Sequence, residues 1–464
     1  MSRSVRRVPA VAALLALVLT GTACDGGVRG TPGASGLGDP YFPRAGNGGY
    51  DVDHYDIALD YTPATRRLTG TAVITARATR DLSAFRLDLA GLRVGSVRVE
   101  GAAARWSRAG QELTVRPRDD LAQGETFRTT VRYSGTPRTL TDPDGSEEGW
   151  LPTADGALAL GEPVGSMTWF PGNHHPSDKA SYDITVTVPR GLQAVSNGEL
   201  TQATTRGGRT SYHWHPAQPM ASYLATVAIG HYDIARTTGP HGLPVLTAVD
   251  PRQARASAGV LAELPGILDW EEYNFGPYPF SSAGVIVDRP GDSGYALETQ
   301  TRPVFPGDQF DTGTLVHELA HQWYGDSVGP ASWRDMWLNE GFATYAEWLY
   351  DEDHDGPTAQ ETFTRLYEGD HEAVWAFPPA RPSSAAHISD SPVYERGAMV
   401  LHKIRQKVGD DTFYDIIQGW AAARRHGTAG TAAFTAYVEK KAPERDFGEI
   451  WRDWLYGDGK PDRP

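Results

Sequence analysis

A single cysteine, Cys24, occurs among the 464 residues. The chain therefore has no disulfide to hold it, and a metal site built on several thiolates is excluded. It also lacks an apolar run long enough to be a permanent membrane span: the longest, Val8 to Leu19, falls short of the roughly 20 residues that a crossing helix needs. Positive charge is in deficit, with 43 Lys and Arg against 58 Asp and Glu and a formal net charge of −15. That balance argues against a nucleic-acid partner, which would be met by a basic surface. No internal repeat is apparent.

The amino end reads as a targeting segment. Arg3, Arg6 and Arg7 precede the short apolar run, and small residues follow as far as the lone cysteine. Residues 1–23 are expected to be a signal peptide. Cys24, at its end, reads as the residue of a relaxed lipobox that is cleaved and diacylated, which makes the protein an exported, outward-facing membrane lipoprotein attached only through that anchor. Plain secretion is the alternative. Residues 24–49, rich in Gly, Pro and Ser, read as a tether from the anchor to the first domain.

About 415 residues remain, enough for two domains. From 50 to 238 short segments such as HYDIALDY, GTAVITARA, SYDITVTVP and SYLATVAIGHYDIA alternate apolar and polar residues between Gly, Pro and Asp breaks. They predict an N-terminal all-β domain, twisted and mostly antiparallel. From 239 to 464 the periodicity is helical, with a strand at AGVIVDRP, and predicts an α+β domain.

The chemistry is concentrated in VHELAHQWYGDSVGPASWRDMWLNEG, which runs from Val316 to Gly341. His317 and His321 lie four apart, so a helix carries both on one face, where they can share a metal. Glu318 is placed to reach water beside that metal without ligating it. After eighteen intervening residues comes Glu340, in a second helical pattern. Two imidazoles and one carboxylate leave a tetrahedral zinc with one open position, the arrangement of a catalytic site. Two histidines and two carboxylates buried together without a cation would be costly. Asp326 and Glu347 are candidates to orient the ligand histidines from behind. His174 and His175 sit in a Pro/Gly/Asn loop without ligand spacing and read as structural.

HELAHQWYGD followed by WLNEGFATYAEW resembles the aminopeptidase N family of gluzincins, peptidase family M1. Further similarity lies in GEPVGSMTWFPGNHHPSDKASYDITVTVP from Gly161, NFGPYPF from Asn274, GYALETQTRP from Gly294 and VYERGAMVLHKIR from Val393, all in the family's order. The resemblance implies a thermolysin-like catalytic domain over 239–464, one Zn2+ held by His317, His321 and Glu340, and Glu318 as general base. It implies Tyr394 as the hydroxyl that stabilises the oxyanion. It also implies Glu298 and Glu162 as the carboxylates that bind the free α-amine of a peptide substrate.

Two departures stand out. The family's Gly-x-Met-Glu-Asn motif is Tyr295-Ala296-Leu297-Glu298-Thr299 here, so a tyrosine replaces the small first residue and Thr299 the asparagine. Only 70 residues follow Tyr394, whereas family members usually carry a long helical domain that roofs the site. A short form with a more open site is expected. The function read from the sequence is zinc-dependent removal of N-terminal residues from peptides outside the cytoplasm. A zinc endopeptidase or other zinc hydrolase on the same scaffold is the first alternative, and an inactive peptide-binding lipoprotein the second.

Overall fold

The structure is a computed structural model that describes residues 29–462. The signal peptide and Cys24 lie outside the described residues. Among those described, no helix is long and apolar enough to cross a membrane.

The β-domain is built around a nine-stranded sheet. At its centre Tyr50–Thr62 alternates buried and exposed side chains along almost its whole length, as a strand with one buried face must. It pairs antiparallel with Arg67–Ala78 and parallel with Lys179–Pro189, so Ile57 lies between Ala72 and Ile184. A five-stranded sheet (Thr139–Thr141, Glu147–Pro152, Ala157–Leu160, Val227–Gly230 and Gln193–Ser196) adjoins it. Trp150 of that sheet meets Tyr61 of the first at 5.0 Å between ring centroids, and Trp214 Nε1 donates to the Ala194 carbonyl at 3.0 Å. Ala157–Leu160 is buried on both faces, and Glu162 lies two residues beyond its end.

The catalytic domain opens with a four-stranded sheet: Asp233–Thr238, Pro244–Val249, Ala283–Asp288 and Val304–Pro306. Ala283–Asp288 runs parallel to both neighbours and has every residue buried, as its unbroken apolar run requires. Among the described residues seven α-helices accompany the sheet: α1 (Ala254–Phe275), between its second and third strands, then α2 (Thr312–Ala320), α3 (Trp337–Asp353), α4 (Ala359–Glu368), α5 (Gly397–Val408), α6 (Asp410–Arg424) and α7 (Thr431–Lys441). α3 is buried over its first ten residues and so occupies the centre of the domain. It meets α5 at two glycines. A Cβ on Gly341 would lie 2.9 Å from the Gly397 carbonyl carbon, so only glycine lets the helices approach this closely. That contact draws the segment around Tyr394 toward Glu340.

Two boundaries differ from the sequence reading. Asp233–Thr238 pairs with Pro244–Val249 in the catalytic sheet, so the β-domain ends after Val227–Gly230 rather than at 238. Alternation alone marks a strand without saying which sheet receives it. From Thr31 onward, the segment read as a tether is part of the folded body. Thr31–Pro32 pairs with Leu82–Asp88. The buried Asp39 carboxylate accepts from Tyr41 N and Phe42 N at 2.8 and 2.9 Å, and from Ser332 Oγ and Trp333 N of the catalytic domain at 2.7 and 2.9 Å. Phe42 lies edge-on to Trp333 at 6.0 Å. One carboxylate that satisfies four donors makes an ordered strap out of a composition that otherwise reads as a linker.

Candidate active site

α2 starts where the Asp311 side chain caps Thr314 N at 2.9 Å, a standard N-cap bond. His317 falls in its last turn and His321 is the residue that ends it, with ring centroids 4.8 Å apart. Glu340, in the first turn of α3, points back at both. Its Oε2 lies 3.2 Å from His317 Nε2 and 3.3 Å from His321 Nε2. Zinc bonds of about 2.0–2.1 Å in a tetrahedron separate the ligand atoms by about 3.3–3.4 Å, so the three donors fit zinc closely.

The far ring nitrogens are held as metal-ligand histidines usually are. His317 Nδ1 meets Glu347 Oε1 at 2.6 Å, and His321 Nδ1 meets the Tyr324 carbonyl at 3.1 Å. Of the two orienting residues anticipated from sequence, Glu347 therefore bonds a ligand directly. Asp326 does not: its side-chain oxygens are buried without a hydrogen-bond partner, and its backbone N–H donates to the His321 carbonyl at 2.9 Å. Half-buried Lys179, from the β-domain, donates to the Asp326 and Ser327 carbonyls at 2.6 and 2.9 Å and secures this turn.

The other expected residues gather around the same point. Glu298 and Glu318 are 2% and 6% exposed, and each has one carboxylate oxygen without a partner. A donor atom from each of Glu298, Glu318 and His321 falls within 4.8 Å of the other two, as does one from each of Glu162, Glu298 and Glu340. Burial and then the neighbouring Glu298 charge push the Glu162 carboxyl well above the usual range. Burial also pushes Glu298 up. The Tyr394 ring stacks on His317, 5.9 Å between centroids and 14° from parallel. All seven predicted residues line one cavity of about 380 Å³. His174 and His175 are elsewhere: His174 is bonded to Ser222 Oγ and the Phe170 carbonyl, and His175 lies beside Asp39.

Three supporting residues lie inside the segments that carry the resemblance but have no role that spacing or resemblance assigns. Gln322, fully buried beside His321, accepts from Thr301 N at 2.7 Å and donates to the Glu298 carbonyl at 3.1 Å. The Tyr324 carbonyl is backbone and leaves no trace in residue identity. Arg396 is buried two residues after Tyr394 and donates to the carbonyls of Trp454, Asp453 and Gly457 at 2.9, 2.9 and 2.6 Å, so the C-terminal segment fixes the tyrosine's turn.

The comparisons agree with this geometry. The Peptidase M1 N-terminal domain model matches residues 51–224 and the Peptidase family M1 domain model matches residues 308–454. A solved two-domain M1 zinc metallopeptidase, a mutant bound to L-arginine, is 31% identical with a TM-score of 0.84, covering 92% of this chain and 99% of that one. The chain belongs to peptidase family M1. Another M1 zinc metallopeptidase mutant, from Deinococcus radiodurans with a Tyr-Ser-Ala substrate, is 30% identical with a TM-score of 0.81 over 92% of this chain and 99% of its own. Among curated relatives, endoplasmic reticulum aminopeptidase 1 of Homo sapiens is 24% identical over 78% of this chain, and probable aminopeptidase 2 of Sulfurisphaera tokodaii 23% over 88%. The chain spans 42% and 54% of the lengths of those two proteins. Like its M1 neighbours, it has the two-domain fold and a site for one zinc per chain.

Proposed function

We propose that this M1 protein is a zinc-dependent aminopeptidase that removes N-terminal residues from peptides. The observation that carries the reading is the placement of Glu298 and Glu162 in the cavity that also holds His317, His321, Glu340 and Glu318. Zinc, when bound, polarises the scissile carbonyl and makes water a stronger acid. The chain's own groups do the rest. Glu318 accepts a proton from water and delivers it to the leaving amine. The Tyr394 hydroxyl donates to the oxygen that gains charge. Glu298 and Glu162 pair with the substrate's ammonium, which fixes the scissile bond over the metal ligands.

The test is one aminoacyl substrate, free and N-acetylated. Acetylation removes the ammonium charge and adds bulk where the two carboxylates converge, so the free form is expected to be cleaved with much higher efficiency. Glu298→Ala is expected to raise KM for the free form and narrow that ratio. A ratio near one in the wild type would leave a zinc endopeptidase in its place.

We further infer that the protein works outside the cytoplasm, anchored through Cys24. The arginine-flanked apolar run that ends at the chain's only cysteine supports this reading. Labelled fatty acid should enter the wild type and not Cys24→Ser; a wild type that takes up no label is secreted or differently attached.

A further inference from the structure

The two anchor carboxylates come from different domains, Glu162 from the β-domain and Glu298 from the catalytic one. A side-chain oxygen of each lies within 4.8 Å of the other. At that separation, and away from water, like charges repel strongly. The two loops must therefore be held together from outside the cavity, and one side chain reaches both.

Asn197, which follows the strand Gln193–Ser196, is fully buried and is not among the residues that line the cavity. Its amide nitrogen donates to the Gln300 carbonyl at 2.8 Å and to the Leu224 carbonyl at 2.9 Å. Its amide oxygen accepts from Thr226 N at 2.8 Å. Both N–H groups are thus committed, one to each domain.

Each partner lies close to an anchor residue. Gln300 is two residues beyond Glu298, in a tight turn that Arg302 N closes by donating to the Thr299 carbonyl at 2.8 Å. A bond at the Gln300 carbonyl therefore fixes the loop that carries Glu298. On the other side, Thr226 Oγ1 donates at 2.8 Å to the carbonyl of Ala159, in the strand that leads to Glu162. Gly161, just before Glu162, packs on the turn Ser222–Leu224, where an added Cβ would lie 2.4 Å from the Tyr223 carbonyl oxygen. The Asn197 amide is a short rigid link between the supports of the two carboxylates.

We propose that Asn197 is a positioning residue of the α-amine anchor: its amide sets the spacing of Glu162 and Glu298 without touching substrate. The assignment rests on the aminopeptidase reading. It is tested by calorimetric binding of leucine hydroxamate and its des-amino analogue to the zinc-loaded enzyme. The two inhibitors share the chelating group and differ in the ammonium. Wild type is expected to bind the amino form at least about tenfold tighter, the lower range for charge-assisted hydrogen bonds. Asn197→Ala should bring that ratio below about threefold, because a displaced clamp loses its pairing geometry, while affinity for the des-amino form changes little. Asn197→Asp keeps the volume and the acceptor for Thr226 N but has no amide N–H for Gln300, and should do the same. In a Glu298→Ala background, Asn197→Ala should cost nothing further.

Variants that keep the wild-type ratio, or that lose affinity for both inhibitors alike, overturn the positioning role and leave the aminopeptidase standing. So does the absence of a cooperative melt in both variants, which would make Asn197 a residue of the fold alone. A wild-type ratio near one overturns the amine anchor, and the role of Asn197 with it.

Discussion

The side-chain amide of Gln322 ties the α-amine anchor to the metal ligands. It donates to the Glu298 carbonyl at 3.1 Å while accepting from Thr301 N at 2.7 Å, and its own backbone follows His321 directly. Thr301 sits at φ 65°, a left-handed conformation that a β-branched residue adopts only under constraint. Its hydroxyl accepts from Gly198 N of the β-domain at 2.8 Å. The anchor loop is thus held from both domains, and the distance between ammonium and metal depends on it.

Gln322→Met keeps the length of the side chain and removes both bonds, along with a longer one at 3.4 Å that Oε1 accepts from the Tyr278 hydroxyl. Each buried bond is worth roughly 1 kcal/mol or more, and a misplaced anchor costs rate as well. A fall in kcat/KM of about 10–100-fold for a free-amine substrate is expected, with one zinc per chain retained. Elemental analysis beside the kinetics checks both parts. Loss of zinc would make Gln322 a support of His321 instead.

Glu318→Gln is expected to retain zinc, because its oxygens are not among the three donors that meet at 3.2–3.3 Å. Activity should fall by at least about 10²-fold, the lower range for losing general acid–base catalysis. His317→Ala, His321→Ala and Glu340→Ala should each fail to hold the ion through dialysis. Zinc lost from Glu318→Gln as well would contradict the assignment.

Tyr394→Phe removes a hydroxyl and leaves the ring stacked on His317. Melting temperature and KM should change little, while kcat drops by about 10²–10³-fold, the loss typical of one oxyanion donor. Unchanged turnover would move that role to another group.

Asp39 gives the fold an acid-sensitive fastening. Burial pushes its carboxyl up, but the His175 imidazole 3.8 Å away and hydrogen bonds from Phe42 N, Ser332 Oγ and Tyr41 N outweigh burial and hold it well below the usual carboxylate range. A group depressed in the folded state stabilises above its unfolded pKa, near 3.9, and loses that contribution as pH falls through the folded value. Asp39→Ala should therefore cost about 2–3 kcal/mol at pH 7, and the gap to wild type should shrink as the pH is lowered below about 4. Melting curves across that range measure it; a pH-independent gap would mean that the strap holds by packing alone.

Residue spacing was enough to find the metal donors, because two histidines four apart on a helix must share a face, and Glu340 follows in a recognisable second helix. Tyr394, Glu298 and Glu162 became visible only through resemblance, since nothing local separates Tyr394 from the other tyrosines. Gln322 and Arg396 act by bonding carbonyls, and a carbonyl has no identity to read. The strap is illegible for a related reason: one buried acid, Asp39, orders a stretch whose composition says linker. Alternation marks Asp233–Thr238 as a strand but not the domain it joins, because its partner lies after a turn that the alternation does not encode.

Under the proposed anchorage at Cys24, the strap would also set how far the enzyme can range. Phe42, which it carries, is part of the cavity wall. Among the described residues the first paired strand begins at Thr31, seven residue steps from Cys24, and seven extended steps reach about 25 Å at most. An anchor at Cys24 therefore leaves a short leash in place of the long tether that the composition suggests. The catalytic body would ride against the membrane surface, meeting peptides in the thin layer next to the lipid headgroups.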